Sequence, residues 1–459
     1  MDPTFLAYRG GELCVEGVPL ASLAQGRETP FFLIAERQVR TAYSRMAQAF
    51  SAAGVAAEVR YCAKTNSEAA VLTLLATCGA GLLACHPAEV VLARTCGFAP
   101  ERIAYQKPLL TARELDAVLA QGVGLIHVHL PSDLELIAAA AERAGRRVRL
   151  SLRLAPPRGL SALRAVSRRS GLTAAEALAV ARAANGSKWL RVVGLNMYMG
   201  TQQRTAAGLA LAARGAMGLL RRLAARGIEI EEVNLGGGIP SRTLSRLSLA
   251  RLLPRLLDRQ PGLAPWPSSR RAFEPDVDTF TFELAQRFAA LTQSLPARPR
   301  LVVEPGRSLI GAAGLLVSRV HAVRGRWLVL DASRDFLPES PWLLRRTVLT
   351  AIEPPSTARH FFHLSGCGLN TLDVIDLHRR LPAVVPGELL ALCDAGAYSI
   401  SRACRYTGLS PAVILLGVDG SLRLARRSET VGDLMGPMTA VAPGVAGAAG
   451  ASSPAAEVA

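Results

Sequence analysis

No stretch of the chain reads as a charge-free apolar span of the about 18 residues a membrane helix needs, so no membrane partner is expected. The opening residues, MDPTFLAYRGGELC, lack the basic-then-apolar order of a secretory signal, and a cytoplasmic location is expected. The eight cysteines (14, 62, 78, 85, 96, 367, 393 and 404) include no CxxC pair and no ligand-like spacing. That argues against a zinc site and favours free thiols in a reducing compartment. Aromatic residues make up only 5% of the chain, and none interleave with the dense basic stretch from Arg146 to Arg169. Base-stacking platforms need such rings, so the net charge of +17 is not read as a nucleic-acid footprint.

Between residues 55 and 307, short apolar runs alternate with amphipathic ones. Strand candidates are 59–65, 81–86, 102–107, 125–130, 148–154, 192–199, 231–237 and 301–306. Helix-like segments between them carry start and stop signals. Ser67 precedes one and Gly79 ends it; Ser132 precedes another and Gly145 ends it. Thr111 opens a third, closed by Gly122, and Gly97 closes the segment that Pro87 opens. No G-x-G-x-x-G follows the first strand, which weakens a dinucleotide-binding open sheet. Eight such units predict an α/β fold of the (β/α)₈ barrel type.

After residue 307 strand-length runs are separated by Gly, Pro and Asp turns, as expected for a mostly antiparallel β domain. The expected division is an N-terminal segment 1–30 joining that β domain, a barrel over 31–307, the β domain over 308–430, and a disordered Gly/Ala/Pro tail over 431–459.

Barrel chemistry gathers at the C-terminal ends of the strands. Lys64 ends the first strand after Tyr61, Cys62 and Ala63, an apolar setting that predicts a lowered pKa and an amine able to form a Schiff base. Alone, it better fits a snorkelling surface lysine. Gly236, Gly237 and Gly238 let backbone N–H groups approach an anion, typically a phosphate, although turns and linkers produce the same run. Glu304 and Arg307 would by themselves be an ion pair. Together, an amine, an anion cradle, a guanidinium and a carboxylate at one mouth form the set that holds pyridoxal phosphate. His127 and His129 alternate on one strand with no carboxylate or cysteine near at ligand spacing, so they read as barrel packing rather than metal ligands.

YCAKTN (61–66), GAGLLACHPAEV, NLGGGIP, EPGRSLIGAAG, SGCGLNTLD and DAGAYSIS occur in an order and spacing that resembles the pyridoxal-phosphate-dependent ornithine/diaminopimelate decarboxylase family, of alanine-racemase-like barrel fold, over roughly residues 15–430. The resemblance implies a barrel plus a β domain, an amino-acid substrate, and a homodimer with shared active sites. It further implies that Lys64 carries the cofactor and Glu304 meets its ring nitrogen. Gly236, Gly237, Gly238, Arg307, Thr201 and Tyr398 would surround the phosphate, with Tyr198 stacked on the ring in place of the family's histidine.

The departures concern the substrate side. Where the family has a proton-donating cysteine this chain has Leu369, with Cys367 two positions away as the candidate replacement. The next position, often acidic in the family, is Asn370, and Asp373 closes the segment. An Asp and a Ser usual after the second strand are replaced by Leu83 and His86, while Glu89 is kept. Asn370, Asp373 and Arg334 are the expected substrate contacts. The resulting expectation is removal of the α-carboxylate from an amino acid or an amino-acid conjugate, free or bound to a carrier protein. The alternatives are an amino-acid racemase and a non-catalytic relative that only binds the cofactor.

Overall fold

The computed structural model describes residues 5–156, 170–203, 205–241, 245–246, 276–338, 344–353 and 360–438. Eight parallel strands close into a barrel: β1 (Ala57–Cys62), β2 (Gly81–Ala84), β3 (Ile103–Tyr105), β4 (Leu125–Val128), β5 (Val148–Arg153), β6 (Leu190–Asn196), β7 (Glu232–Asn234) and β8 (Arg300–Val303). Neighbours in sequence are neighbours in the barrel, and β8 pairs with β1 through Leu301 and Ala57. Each strand is too short to bury much alone, so closure and the helices packed outside supply the core. Cys62, Leu83, Ala104, Leu125 and Val193 form an apolar cluster of their own. Side chains from five strands can meet only across the barrel interior. The helices end as their glycines require: Gly79, Gly97, Gly122 and Gly145 all have positive φ.

Two starts differ from the sequence reading. Ser132 makes no capping bond; Asp133 turns back instead to accept from the His129 and Leu130 amides at 2.8 Å each. Before the helix Ala69–Thr77 it is Asn66, not Ser67, whose side chain accepts an amide, that of Glu68 at 3.0 Å. In both places a carboxylate or amide side chain one residue away outcompetes the serine hydroxyl.

A nine-stranded sheet forms the second layer, with six antiparallel and two parallel pairings. Its centre is the strand Gly314–Arg324, flanked by Phe31–Ala35. Phe31–Ala35, which precedes the barrel in sequence, thus pairs in this sheet. The N-terminal strands Leu6–Arg9, Glu12–Val15 and Val18–Pro19 dock on the same unit: the Leu13 amide donates to the Ala351 carbonyl, and Tyr8 donates to Thr350 O. Leu13, Val15, Leu20 and Leu23 share one apolar cluster with Phe31, Leu33, Leu315 and Val317. The segment read as a tail begins with a helical turn, Val431–Met435, whose Thr430 and Asp433 form a capping box. Residues 439–459 of that expected tail lie outside the described residues. Among the described residues, no helix is long and apolar enough to cross a membrane.

Candidate active site

At the C-terminal rim of the barrel, Lys64 sits in the single 3₁₀ turn Ala63–Thr65 that ends β1, with its side chain open to solvent. The β domain grips this turn. Tyr398 donates its amide to the Thr65 carbonyl at 2.8 Å, Ser401 donates its hydroxyl to the same carbonyl at 3.0 Å, and Asn66 donates to the Gly396 carbonyl at 3.0 Å. Residues 330 or more positions apart therefore share one rim.

The lowered lysine pKa expected from sequence is not what this arrangement gives. The adjacent Cys62 sulfur favours the Lys64 ammonium more than burial opposes it, and Cys85, Tyr398 and Tyr198 push the same way. The local sequence looked apolar, but the folded rim surrounds the amine with ionisable thiols and phenols.

Across the mouth, β8 runs into Glu304, which is buried. Asn234, last residue of β7, donates to Glu304 Oε1 at 2.6 Å and accepts from the Gly236 amide at 2.8 Å. The Glu304 amide in turn donates to the Gly236 carbonyl at 2.9 Å. One asparagine thus ties the carboxylate to the glycine turn, and among the described residues Glu304 Oε2 has no hydrogen-bond partner. Burial raises the Glu304 pKa, while Asn234 and the cations Arg60, Arg153 and Lys64 pull it down.

The glycine turn has no room for side chains. A Cβ on Gly236 would meet the Met197 carbonyl oxygen at 2.4 Å, and one on Gly238 would meet the Gly200 carbonyl oxygen at 2.2 Å. Both glycines have positive φ, +69° and +102°. The loop after β6 is stitched to this turn: Gln203 donates its amide to the Gly238 carbonyl at 2.8 Å, and Ser241 donates to Gln202 Oε1 at 3.0 Å. Thr201 is exposed on that loop. Arg307, just after β8, is buried, its guanidinium 5.0 Å from the Tyr398 ring centre. Arg153, from the end of β5, lies 5.7 Å from the Tyr198 ring centre and donates to Asn196 Oδ1.

These residues fit pyridoxal phosphate. Backbone amides in a side-chain-free turn, together with Arg307, suit the phosphate, Lys64 supplies the amine, and Glu304 Oε2 is available to a ring N–H. We expect Gly238→Ala to weaken pyridoxal phosphate binding roughly ten- to a hundredfold, from about 1–3 kcal/mol of backbone strain. A cofactor titration followed by fluorescence checks this; equal affinity would mean that the turn does not carry the phosphate.

The remaining candidates cluster elsewhere. Asp373 accepts from the Arg334 amide at 2.7 Å and the Gly368 amide at 2.8 Å, so its carboxylate holds the 366–373 loop together. Arg334 donates through Nη1 to the Leu372 carbonyl at 3.2 Å. Asn370 accepts from the Leu372 amide, and Cys367, exposed, donates its thiol to the Asp331 carbonyl at 3.4 Å. Asp373, Arg334 and Asn370 are tied together through this loop, with Cys367 bound to Asp331 beside them, and their described hydrogen bonds do not reach the Lys64 rim. Leu369 and Leu372 are exposed on the same loop. His86 caps the next helix, accepting from the Ala88 amide, and Glu89 accepts from the Cys85 amide at 2.7 Å.

Sequence reasoning missed Asn234, Asn196, Arg153 and Gln202. Asn234 and Arg153 end barrel strands, and that position is the signal that was available. His127 stands opposite Ser151 in the barrel register, is fully buried, and has no described hydrogen-bond partner. Burial next to Arg60 holds it neutral, and burial beside Arg153 brings His129 down to about 4. No group of three metal-ligating side chains occurs among the described residues.

Comparison with known proteins adds a family and a fold. The family described as pyridoxal-dependent decarboxylase, pyridoxal binding domain, matches residues 36–259. The diaminopimelate decarboxylase of Aquifex aeolicus is 24% identical over 442 residues, covering 94% of this chain and 97% of the relative. That of Mycobacterium tuberculosis is 29% identical over 453 residues, covering 93% and 94%. The crystal structure of the Methanocaldococcus jannaschii diaminopimelate decarboxylase with L-lysine superimposes with a TM-score of 0.80 at 23% identity, covering 95% of this chain and 98% of that one.

Proposed function

We propose that this chain, which is similar to the pyridoxal-dependent decarboxylases over residues 36–259, removes the α-carboxylate of a free amino acid with pyridoxal phosphate held at the rim that Lys64 and Glu304 share. The observation that carries this is the Asn234 link, which joins the buried Glu304 carboxylate to the Gly236 turn across the mouth from Lys64. Bound there, the cofactor supplies a sink for the electron pair released when the bond to the carboxylate breaks. Lys64 holds it covalently, and the glycine turn with Arg307 and Tyr398 receives its phosphate. Glu304, oriented by Asn234, keeps the ring nitrogen protonated. Tyr198, braced by Arg153, would lie against the ring and keep water from it.

The 366–373 loop, with Leu369 and Leu372 exposed, we assign to the interface of a homodimer, where Asn370 and Arg334 would meet a substrate in the partner's mouth. The eight free cysteines fit a cytoplasmic setting.

Borohydride treatment of the protein loaded with pyridoxal phosphate should leave a reduced pyridoxyl group on the peptide containing Lys64, and a screen of free amino acids should then show CO₂ release. An adduct elsewhere, or none, would remove Lys64 from the chemistry. CO₂ from carrier-bound substrates alone would replace the free amino acid by a conjugate.

A further inference from the structure

We propose that Cys85 returns a proton to the α-carbon after CO₂ departs, with Cys62 as the hydrogen-bonding partner that positions its thiol; this rests on the decarboxylase reading above. β1 and β2 run parallel with Cys62 opposite Leu83, so Cys85, one residue past the end of β2, follows Cys62 along the same side of the barrel. The two thiols therefore adjoin across neighbouring strands, close enough for the charge state of each to depend on the other. Cys62 is buried and shares the interior cluster with Leu83, whereas Cys85 is half-buried and so reachable from the mouth. The Cys85 backbone is fixed by its amide bond to Glu89. Lys64 follows Cys62 by two residues and lies within electrostatic reach of both sulfurs.

Loss of CO₂ leaves an electron pair that must capture a proton at carbon. Leu369 has none to give. The Cys367 thiol is committed to the Asp331 carbonyl on the far loop. Burial pushes the phenols of Tyr198 and Tyr398 above their ordinary value, which makes them poorer donors. His129 is neutral above about pH 4. Within the thiol pair the bond between the sulfurs acts in opposite senses. It raises Cys62, the donor, and lowers Cys85, whose thiolate receives that bond and also faces Lys64. Cys85 is therefore the more acidic member and the one open to the mouth.

The step balances. The S–H bond of Cys85 breaks, a C–H bond forms at the α-carbon, and the thiolate left behind is held by the Cys62 S–H and the Lys64 ammonium. A proton from solvent, passed through Lys64, restores the thiol.

The experiment measures CO₂ and amine together in the loaded enzyme, turning over whichever amino acid the screen identifies, with Cys404→Ser as control. Wild type and the control should give one amine per CO₂. Cys85→Ala and Cys85→Ser should lower amine formation about a hundredfold, the lower end of what a positioned proton donor contributes, with the Lys64 adduct intact. An unchanged amine rate and amine-to-CO₂ ratio in both variants would overturn the proposal. Iodoacetamide labelling of the cofactor-free protein tests the thiol pair separately. Cys85 should react with a pH midpoint below that of the exposed Cys404, and Cys62→Ala should move that midpoint upward. A Cys85 midpoint at or above that of Cys404 counts against the assignment. Failure of wild-type protein to release CO₂ or to form the Lys64 adduct would instead sink the decarboxylase reading itself.

Discussion

Glu304→Gln is expected to lower CO₂ release about a hundredfold while the Lys64 adduct still forms. The carboxyl group is buried and oriented by Asn234 at 2.6 Å; burial raises its pKa, and Asn234 with Arg60, Arg153 and Lys64 pulls it back toward the ionised form. A neutral amide of the same shape keeps the Asn234 contact but offers the ring nitrogen no counter-charge. Hydrogen bonds to charged groups contribute up to about 3 kcal/mol, which corresponds to the stated rate loss. The turnover number should fall with little change in the amount of cofactor bound, because the phosphate contacts are untouched. Steady-state CO₂ release and cofactor stoichiometry measure the two quantities; equal turnover in wild type and variant would remove Glu304 from the reaction.

The second large effect concerns the stability of the barrel. Arg60 makes a bidentate contact to Glu232, 3.1 Å to each oxygen, and a second pair of contacts to Glu58 at 3.3 Å. Arg300 closes the group on Glu232 at 2.7 Å. β1, β7 and β8 are thereby joined by charges inside the barrel, at the end away from Lys64. Breaking a buried pair by removing one partner costs about 3–5 kcal/mol, because the other charge stays buried. Arg60→Ala should therefore lower unfolding free energy by about that amount in urea at pH 7. Burial alone would raise the Glu232 pKa, but Arg60 and Arg300 hold it at about 2. A carboxyl lowered on folding contributes stability that is fully present above its ordinary value of 4.5 and is lost as pH falls toward 2. Wild-type stability should decline across that window, and the decline should shrink in Arg60→Ala, which has less of this contribution to lose. The same slope in both proteins would mean that other carboxylates dominate the acid response.

The alternation of apolar runs and capped helices announced the barrel because short-range periodicity is a property of the chain itself. All eight strands lie at or within a few residues of the expected runs. Lys64, the Gly236–Gly238 run, Glu304 and Arg307 were legible for the same reason: each ends a strand, and strand ends converge at one rim in any barrel of this kind. What surrounds them was not. The Lys64 amine is shifted up rather than down chiefly by Cys62 on its own strand, and then by Cys85, Tyr398 and Tyr198, which arrive from other strands and from the β domain. Asp373, an expected substrate contact, spends its carboxylate on the backbone amides of Gly368 in its own loop and of Arg334. Asn234 reads as an ordinary strand residue until barrel closure sets it 2.6 Å from Glu304, 70 residues away. By itself the sequence determined where strands, turns and reactive groups fall along the chain. Which of those groups touch, and hence their charge and their orientation, was decided only by the register of a closed sheet, because contacts between distant residues depend on closure and not on local pattern.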